Sequence, residues 1–260
     1  VHRPEPAPAA WLERAHVPGY VDAVLGLQLE PAAVRRIGLP ITADVVRRSR
    51  AAAAGTVLAA RLALEHGIAC NTAGGSHHAF ADHGAGFCVF NDVAVAAGVL
   101  LADGRIERAL VVDLDVHQGD GTAAIFAGDP RVHTFSMHCG INYPLHKQIS
   151  DLDMELDIGL EDDAYLALLA DRLPGLLEQV RPDLVFFNAG VDPHVDDRLG
   201  RLALSADGLW RRERLVLQAC LGAGIPVAGV IGGGYARDLD RLVRLHSILH
   251  RAASELCRGL

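Results

Sequence analysis

The nonapeptide Asp113-Leu114-Asp115-Val116-His117-Gln118-Gly119-Asp120-Gly121 closes an apolar run that begins at Ala109. Side chains of an extended chain alternate between two faces, so Asp113, Asp115 and His117 share one while Leu114 and Val116 take the other. An uncompensated buried carboxylate is costly, and two of them with an imidazole at the end of an apolar strand call for an offsetting charge. A bound cation is the natural source. Helix caps and turn acids would account for Asp120-Gly121 alone, but not for the whole nonapeptide.

Three further clusters carry chemically useful groups. Gly74-Gly75-Ser76-His77-His78-Ala79 is followed by Gly86-Phe87-Cys88-Val89-Phe90-Asn91-Asp92. Paired histidines in a glycine-supported loop suit either metal ligands or general bases, and both roles need a partner that fixes the tautomer. In Asn188-Ala189-Gly190-Val191-Asp192 an acid lies just past an apolar run, where it could also do no more than open a turn. Gly232-Gly233-Gly234-Tyr235 lets the backbone approach a ligand closely and could position the tyrosine hydroxyl. A phosphate loop is the weaker reading, because the Lys and Ser/Thr of such loops are missing. The thirteen histidines are unevenly spread: His117, His133 and His138 follow the His77-His78 pair within a short span.

The elements that must hold these groups are five short apolar runs alternating with longer helical patterns. The strands are expected at Gly67–Asn71, Ala109–Asp115, Val132–His138, Asp183–Asn188 and Ile225–Ile231. The helices are expected at Asp44–Glu65, Asp92–Ala102, Asp162–Val180, Asp207–Leu221 and Asp238–Leu256, several of them opening on an acid. This is an α/β pattern, with a central parallel sheet and helices on both faces. In such sheets ligands collect beyond the carboxyl ends of the strands, where all four clusters fall. No Ser/Gly linker, charge block or repeat divides the chain, so residues 1–260 are expected to form a single domain, with Pro4–Pro8 as a terminal tail. The first residue is Val1 and not Met, so a trimmed N-terminus, with a strand of the sheet or a targeting signal upstream, is part of the expectation.

Composition narrows the class. With 260 residues, 50% hydrophobic and 22% charged, the chain can bury a substantial core. A net charge of −8 removes the usual drive for nucleic-acid binding. Five scattered cysteines (Cys70, Cys88, Cys139, Cys220, Cys257), without a Cys-x-x-Cys pair, fit a reducing, cytoplasmic setting. Leu215–Ala236 carries no charge, but its six glycines and Pro226 suit a turn, strand and loop better than a membrane span. Lys147 is the lone lysine beside 23 arginines, a bias that fits a GC-rich genome and assigns no mechanism.

Taken together, the motifs resemble the zinc-dependent histone deacetylase family, including bacterial deacetylase-like amidohydrolases, and are most similar to its short class IV branch. The resemblance rests on His77-His78-Ala79, Gly86-Phe87-Cys88 with Asn91-Asp92, the Asp113–Gly121 nonapeptide, Ala189-Gly190-Val191-Asp192 with Asp197-Arg198-Leu199-Gly200, and Gly233-Gly234-Tyr235. All occur in the family's order along nearly the whole chain. It implies an arginase/deacetylase-like fold and a hydrolase that removes an acetyl or longer acyl group from a lysine amine by attack of a zinc-bound water.

Residue by residue, the resemblance implies that Asp115, His117 and Asp192 hold Zn²⁺, with Fe²⁺ also compatible with a ligand set free of cysteine. His78, backed by Asp120, would take the water's proton and return it to the leaving amine. His77, paired with Asp113, would give electrostatic support, and Tyr235 would donate to the oxyanion. Gly86, Phe87 and Tyr143 resemble the walls of a tunnel for a linear acyl-lysine side chain. Asp113, Ser136 and Met137 resemble a structural K⁺ site in which backbone carbonyls take part.

The departures from the family's pattern bear on the substrate. Gln118 stands where many deacetylases have another histidine, at a position that is not a ligand. The loop from Glu30 to Thr42 shows no match for the acid with which larger deacetylases grip the substrate backbone. The insertions that narrow the mouth of polyamine deacetylases are absent, which favours an acyl-lysine protein over an acylated small amine such as an acetylpolyamine. An arginase-like ureohydrolase would need second-metal acids two residues after His117 and Asp192, where Gly119 and His194 stand. A catalytically silent acyl-ligand binding module is the alternative of another class, and the presence of every catalytic candidate speaks against it.

Overall fold

In a computed structural model that describes residues 1–258, the apolar runs become strands β1 (Ile68–Cys70), β2 (Ala109–Asp113), β3 (Val132–Cys139), β4 (Leu152–Leu156), β5 (Leu184–Asn188) and β6 (Val227–Val230). They form one sheet in the order β1-β6-β5-β2-β3-β4, and every pairing is parallel. Parallel strands covered on both faces read as unbroken apolar runs, which is why β2 and β5 are buried at every position. Val111, Phe186 and Ala228 face a core shared with α4 (Ala43–His66) and α5 (Asp92–Ala102). Leu110, Val112, Val185 and Phe187 face the opposite core, built with α7 (Asp162–Val180), α8 (Ala206–Gly222) and α9 (Leu239–Arg258). Each such side chain contributes about 1.5–3 kcal/mol by leaving water. The result is a single α/β domain with its sheet between two helical layers. None of the described helices is long and apolar enough to cross a membrane.

Several local expectations are corrected. Strand β2 ends at Asp113, not Asp115, yet the extended chain beyond it keeps the alternation, with Leu114 and Val116 fully buried in the second core. Strand β4 lies outside the five expected strands: its Leu152, Met154 and Leu156 alternate with acids, as an edge strand paired only with β3 allows. The supposed loop from Glu30 to Thr42 contains α3 (Pro31–Ile37), which starts on a proline suited to a first helical turn and stops at Gly38 in the left-handed conformation. Short helices α1 (Ala9–Leu12), α2 (Pro18–Leu25) and α6 (Asp120–Phe126) complete the chain. The tail is not loose at Ala7, which is buried and bonds Arg50 through both its backbone groups. The side chains that cap α4, α5 and α8 are Thr42, Asn91 and Ser205, and the acids read as helix starts lie one or two residues inside.

His16, between α1 and α2, ties the N-terminal segment to the region of the paired histidines. Its Nδ1–H donates to the Phe80 carbonyl at 2.9 Å and its Nε2 accepts from the Asn91 N–H at 3.0 Å, so the ring is held neutral. Burial lowers its pKa from 6.5 to about 4. The unfolded chain therefore takes up a proton on His16 before the folded chain does. The contribution of His16 to stability is full above pH 6.5 and is lost, by roughly 3 kcal/mol, as the pH drops towards 4. His16→Gln, which keeps a donor and an acceptor but does not titrate, should show a shallower pH dependence in urea unfolding across that window. An unchanged slope would contradict this role.

Candidate active site

The loops after β1, β2, β5 and β6 meet at one rim of the sheet, and three prospective ligand atoms converge there. One atom each from Asp115, His117 and Asp192 lie within 4.8 Å of one another, all three residues buried. Backbone N–H groups fix both carboxylates: Asp192 spends one oxygen this way, while Asp115 accepts from Gly233 on one oxygen and from the His117 N–H, at 3.1 Å, on the other. Asp115 Oδ2 accepts from Gly233 N–H at 2.7 Å, and Asp192 Oδ1 accepts from Val116 N–H at 2.9 Å. Asp115 Oδ1 and Asp192 Oδ2 each lie 3.1 Å from His117 Nδ1. A Cβ on Gly233 would collide with the Asp192 carboxylate, so glycine is required where the backbone closes over both acids. Burial and the charge on Asp115 push the Asp192 carboxyl up to about 7. Burial disfavours charge on His117 as well, but its hydrogen bonds with Asp115 and Asp192 and their charges outweigh this and raise it to about 10. Two buried acids compete here for one positive charge, which is the electrostatic signature of a cation site.

The histidine pair stands beside this group. His77 Nδ1–H donates to Asp113 Oδ2 at 2.7 Å, His78 Nδ1–H donates to Asp120 Oδ1 at 2.6 Å, and the two Nε2 atoms are 3.1 Å apart. Both rings present Nε2 to the site because a carboxylate holds each Nδ1. Burial opposes charge on His77, but Asp113 and Asp115 together overcome it and raise its pKa to about 9. Burial and the neighbouring charge on His77 lower His78 to about 4. The proton between the rings therefore belongs to His77, and His78 is left a neutral base. Gly86, with φ of 51°, passes so close to His78 that a Cβ would stand 2.6 Å from its Cδ2.

Aromatic rings rim the opening. Tyr143 stands edge-on to His78 with centroids 4.8 Å apart, Phe87 lies 5.9 Å from Tyr235, and Tyr235 lies 6.3 Å from His117. Burial, with Asp115 and Asp192 nearby, raises the Tyr235 hydroxyl far above its ordinary range, so it stays a donor. A cleft of about 720 Å³ leads in past Phe87 and Tyr235 to His77, His78 and Asp115. Asp113 faces Ser136 in the β2–β3 register, while the Ser136 hydroxyl shares a 2.9 Å hydrogen bond with His138 Nδ1 and the Met137 side chain lies in the core.

Asp92, Asn188 and Asp197, named in the motifs without a role, also shape the site. Asp92 accepts from Ser76 N–H at 2.7 Å and from the Thr56 hydroxyl at 2.6 Å, fixing the loop before His77. Asn188 Nδ2–H donates to Asp113 Oδ1 at 2.9 Å. Asp197 accepts the Tyr235 N–H at 2.6 Å with one oxygen and the Leu199 and Gly200 N–H groups with the other. A buried acid inside a motif was the available signal for Asp92. Gln118 points away from the ligands, bonding Gln148 and Asp153, in keeping with a position that is not a ligand. His194 Nδ1 accepts the Asp196 N–H at 3.1 Å, and among the described residues Asp115, His117 and Asp192 are the one group with ligand geometry.

Residues 1–248 match the family model of the histone deacetylase domain. A Picosynechococcus sp. protein described as uncharacterized is 59% identical over 256 residues, covering 98% of this chain and 85% of its own length. Histone deacetylase 2 of Arabidopsis thaliana is 35% identical over 73% of this chain, and histone deacetylase 6 of the same plant 30% identical over 90%. The alignments take in 50% and 54% of those two plant proteins, so this chain spans about half their length. The crystal structure of the HDA15 HD domain superposes with a TM-score of 0.77 at 25% identity, covering 100% of this chain and 74% of that one.

Proposed function

This chain belongs to the histone deacetylase family, and from that premise we propose that it is a metal-dependent amidohydrolase that removes an acetyl or longer acyl group from the amine of a protein-bound lysine. The observation that carries the reading is the two His–Asp couples, tuned in opposite directions 3.1 Å apart beside three converging ligand atoms. Asp115, His117 and Asp192 would hold the ion. Their nitrogen and oxygen donors fit Zn²⁺, with Fe²⁺ the other candidate, and their competition for positive charge fits a dication. Such an ion lowers the pKa of a coordinated water towards ~7 and polarises an acyl carbonyl.

The chain's own groups divide the remaining work. His78, kept neutral, takes the proton of the attacking water at Nε2 and returns it to the leaving amine, with Asp120 holding the ring in the required tautomer. His77, kept charged by Asp113, steadies the negative charge that develops beside it. Tyr235 donates to the carbonyl oxygen as it becomes an oxyanion. Phe87 and Tyr143 flank the acyl-lysine side chain, and Gly86 leaves room beside them. Asp113, the Ser136 hydroxyl and the Met137 carbonyl would hold a structural K⁺. Cysteine usage supports a cytoplasmic setting.

Lysine peptides bearing acetyl to myristoyl groups, assayed beside acetylpolyamines with bound metal measured, test the substrate. Some acyl-lysine peptide should be turned over with a higher kcat/KM than any acetylpolyamine. Turnover confined to polyamines would make the substrate a small amine. Metal-loaded protein inert towards both would be a binding module.

A further inference from the structure

Arg212 and Glu213 lie on the core-facing stripe of α8 among Leu209, Val216, Leu217 and Cys220, and both are 0% exposed. Consecutive helix residues do not ordinarily face each other. Here the guanidinium folds back onto its neighbour, with Nε donating to Glu213 Oε2 at 2.7 Å and Nη2 to Oε1 at 2.8 Å. A buried pair of this kind is often no more stabilising than two apolar side chains of similar volume, so stability alone does not explain it. The rest of the fork shows what it holds: Nη1 donates to the Leu114 carbonyl at 3.0 Å and Nη2 to the Gly190 carbonyl at 2.9 Å.

Those two carbonyls lie where the sheet opens. The β2–β5 register runs as far as Asp113 opposite Asn188, and the Leu114 N–H bonds the Asn188 carbonyl just beyond it. Past that point one strand leads through Leu114 to Asp115 and His117, the other through Gly190 to Asp192. On the site's side the segments are tied by the Val116 N–H on Asp192 Oδ1. On the core side Arg212 supplies the matching tie.

We propose that Arg212 is a positioning residue for the metal site, its rigid fork setting the spacing between the backbone that carries Asp115 and His117 and the backbone that carries Asp192. Glu213 fixes the plane of the fork. The inference rests on the metal reading of those three residues. Lysine cannot replace the arginine, because one ammonium cannot span two carbonyls and both carboxylate oxygens at once.

Two variants test it: Arg212→Lys, and the paired Arg212→Met/Glu213→Leu, which leaves no unpaired buried charge. Each is measured for thermal unfolding in chelator, for Zn²⁺ affinity by chelator competition, and for the visible spectrum of its Co²⁺ form at saturating metal. Both should stay folded at 25 °C, the paired variant melting about 4–15 °C lower because two buried carbonyls lose their donor, and both should bind Zn²⁺ ~10–100-fold more weakly and show an altered Co²⁺ band. Wild-type affinity and spectrum in the paired variant, or full rescue by lysine, would overturn the role. If the paired variant does not fold, the lysine variant decides alone. A wild-type protein that binds neither ion would instead overturn the metal reading itself.

Discussion

Tyr235→Phe should lower kcat, and kcat/KM with it, by ~10²–10³-fold while KM stays nearly constant. The hydroxyl is expected to meet charge that exists only once the acyl carbon has been attacked, so its loss raises the barrier without weakening the substrate's ground state. Burial and the nearby acids keep the phenol protonated, so it remains a donor throughout the working pH range. Its placement does not depend on the hydroxyl. Asp197 holds the backbone N–H, and the ring lies among Phe87 and His117, contacts that phenylalanine preserves. If Tyr235 only packed against the glycine loop, the variant would turn over a good acyl-lysine substrate at nearly the wild-type rate. That result would remove the oxyanion role and weaken the deacylase reading with it.

What could be read from the chain differs between the frame and the site for physical reasons. The parallel strands were visible because burial on both faces leaves only Ala, Val, Leu and Phe in β2 and β5 before the terminal Asp113 and Asn188. Asp113, Asp115 and His117 stood out because two acids and a histidine at the end of one apolar strand have no bland explanation as a set, whereas Asp192, which could equally open a turn, joined them only through the family resemblance. Strand β4 was not visible, since an edge strand with one partner tolerates acids at alternate positions. Helix α6 was obscured because its first residue, Asp120, also carries the His78 contact. Nothing in the pattern Arg211-Arg212-Glu213-Arg214 distinguishes its second and third residues, and only the fold shows both side chains to be buried. The tautomers of His77 and His78, and the opposite tuning of the two rings, depend on carboxylates 36 and 42 residues away, beyond what spacing can convey.

The largest loss is expected on removing a ligand. Asp115→Ala or Asp192→Ala takes away one of the three converging ligand atoms, leaves only two protein donors and one carboxylate to offset the ion's charge, and should abolish retention of metal through dialysis. His78→Ala removes no ligand. It should bind metal as wild type does while turning over ~10²–10⁴-fold more slowly, because only proton transfer is lost. The two phenotypes must therefore separate. Were His78→Ala to empty the site as completely as Asp192→Ala, His78 would be a ligand and not the base.

The most direct measurement is a metal titration of chelator-stripped wild-type protein, following both bound metal and hydrolysis of an acyl-lysine peptide. Activity should return in proportion to added Zn²⁺ and level off at one equivalent per chain, in keeping with one group of three ligands among the described residues and Gly119 and His194 where a second metal's acids would stand. A requirement for two equivalents of tightly held Mn²⁺ would contradict the account and point to two-metal ureohydrolase chemistry instead.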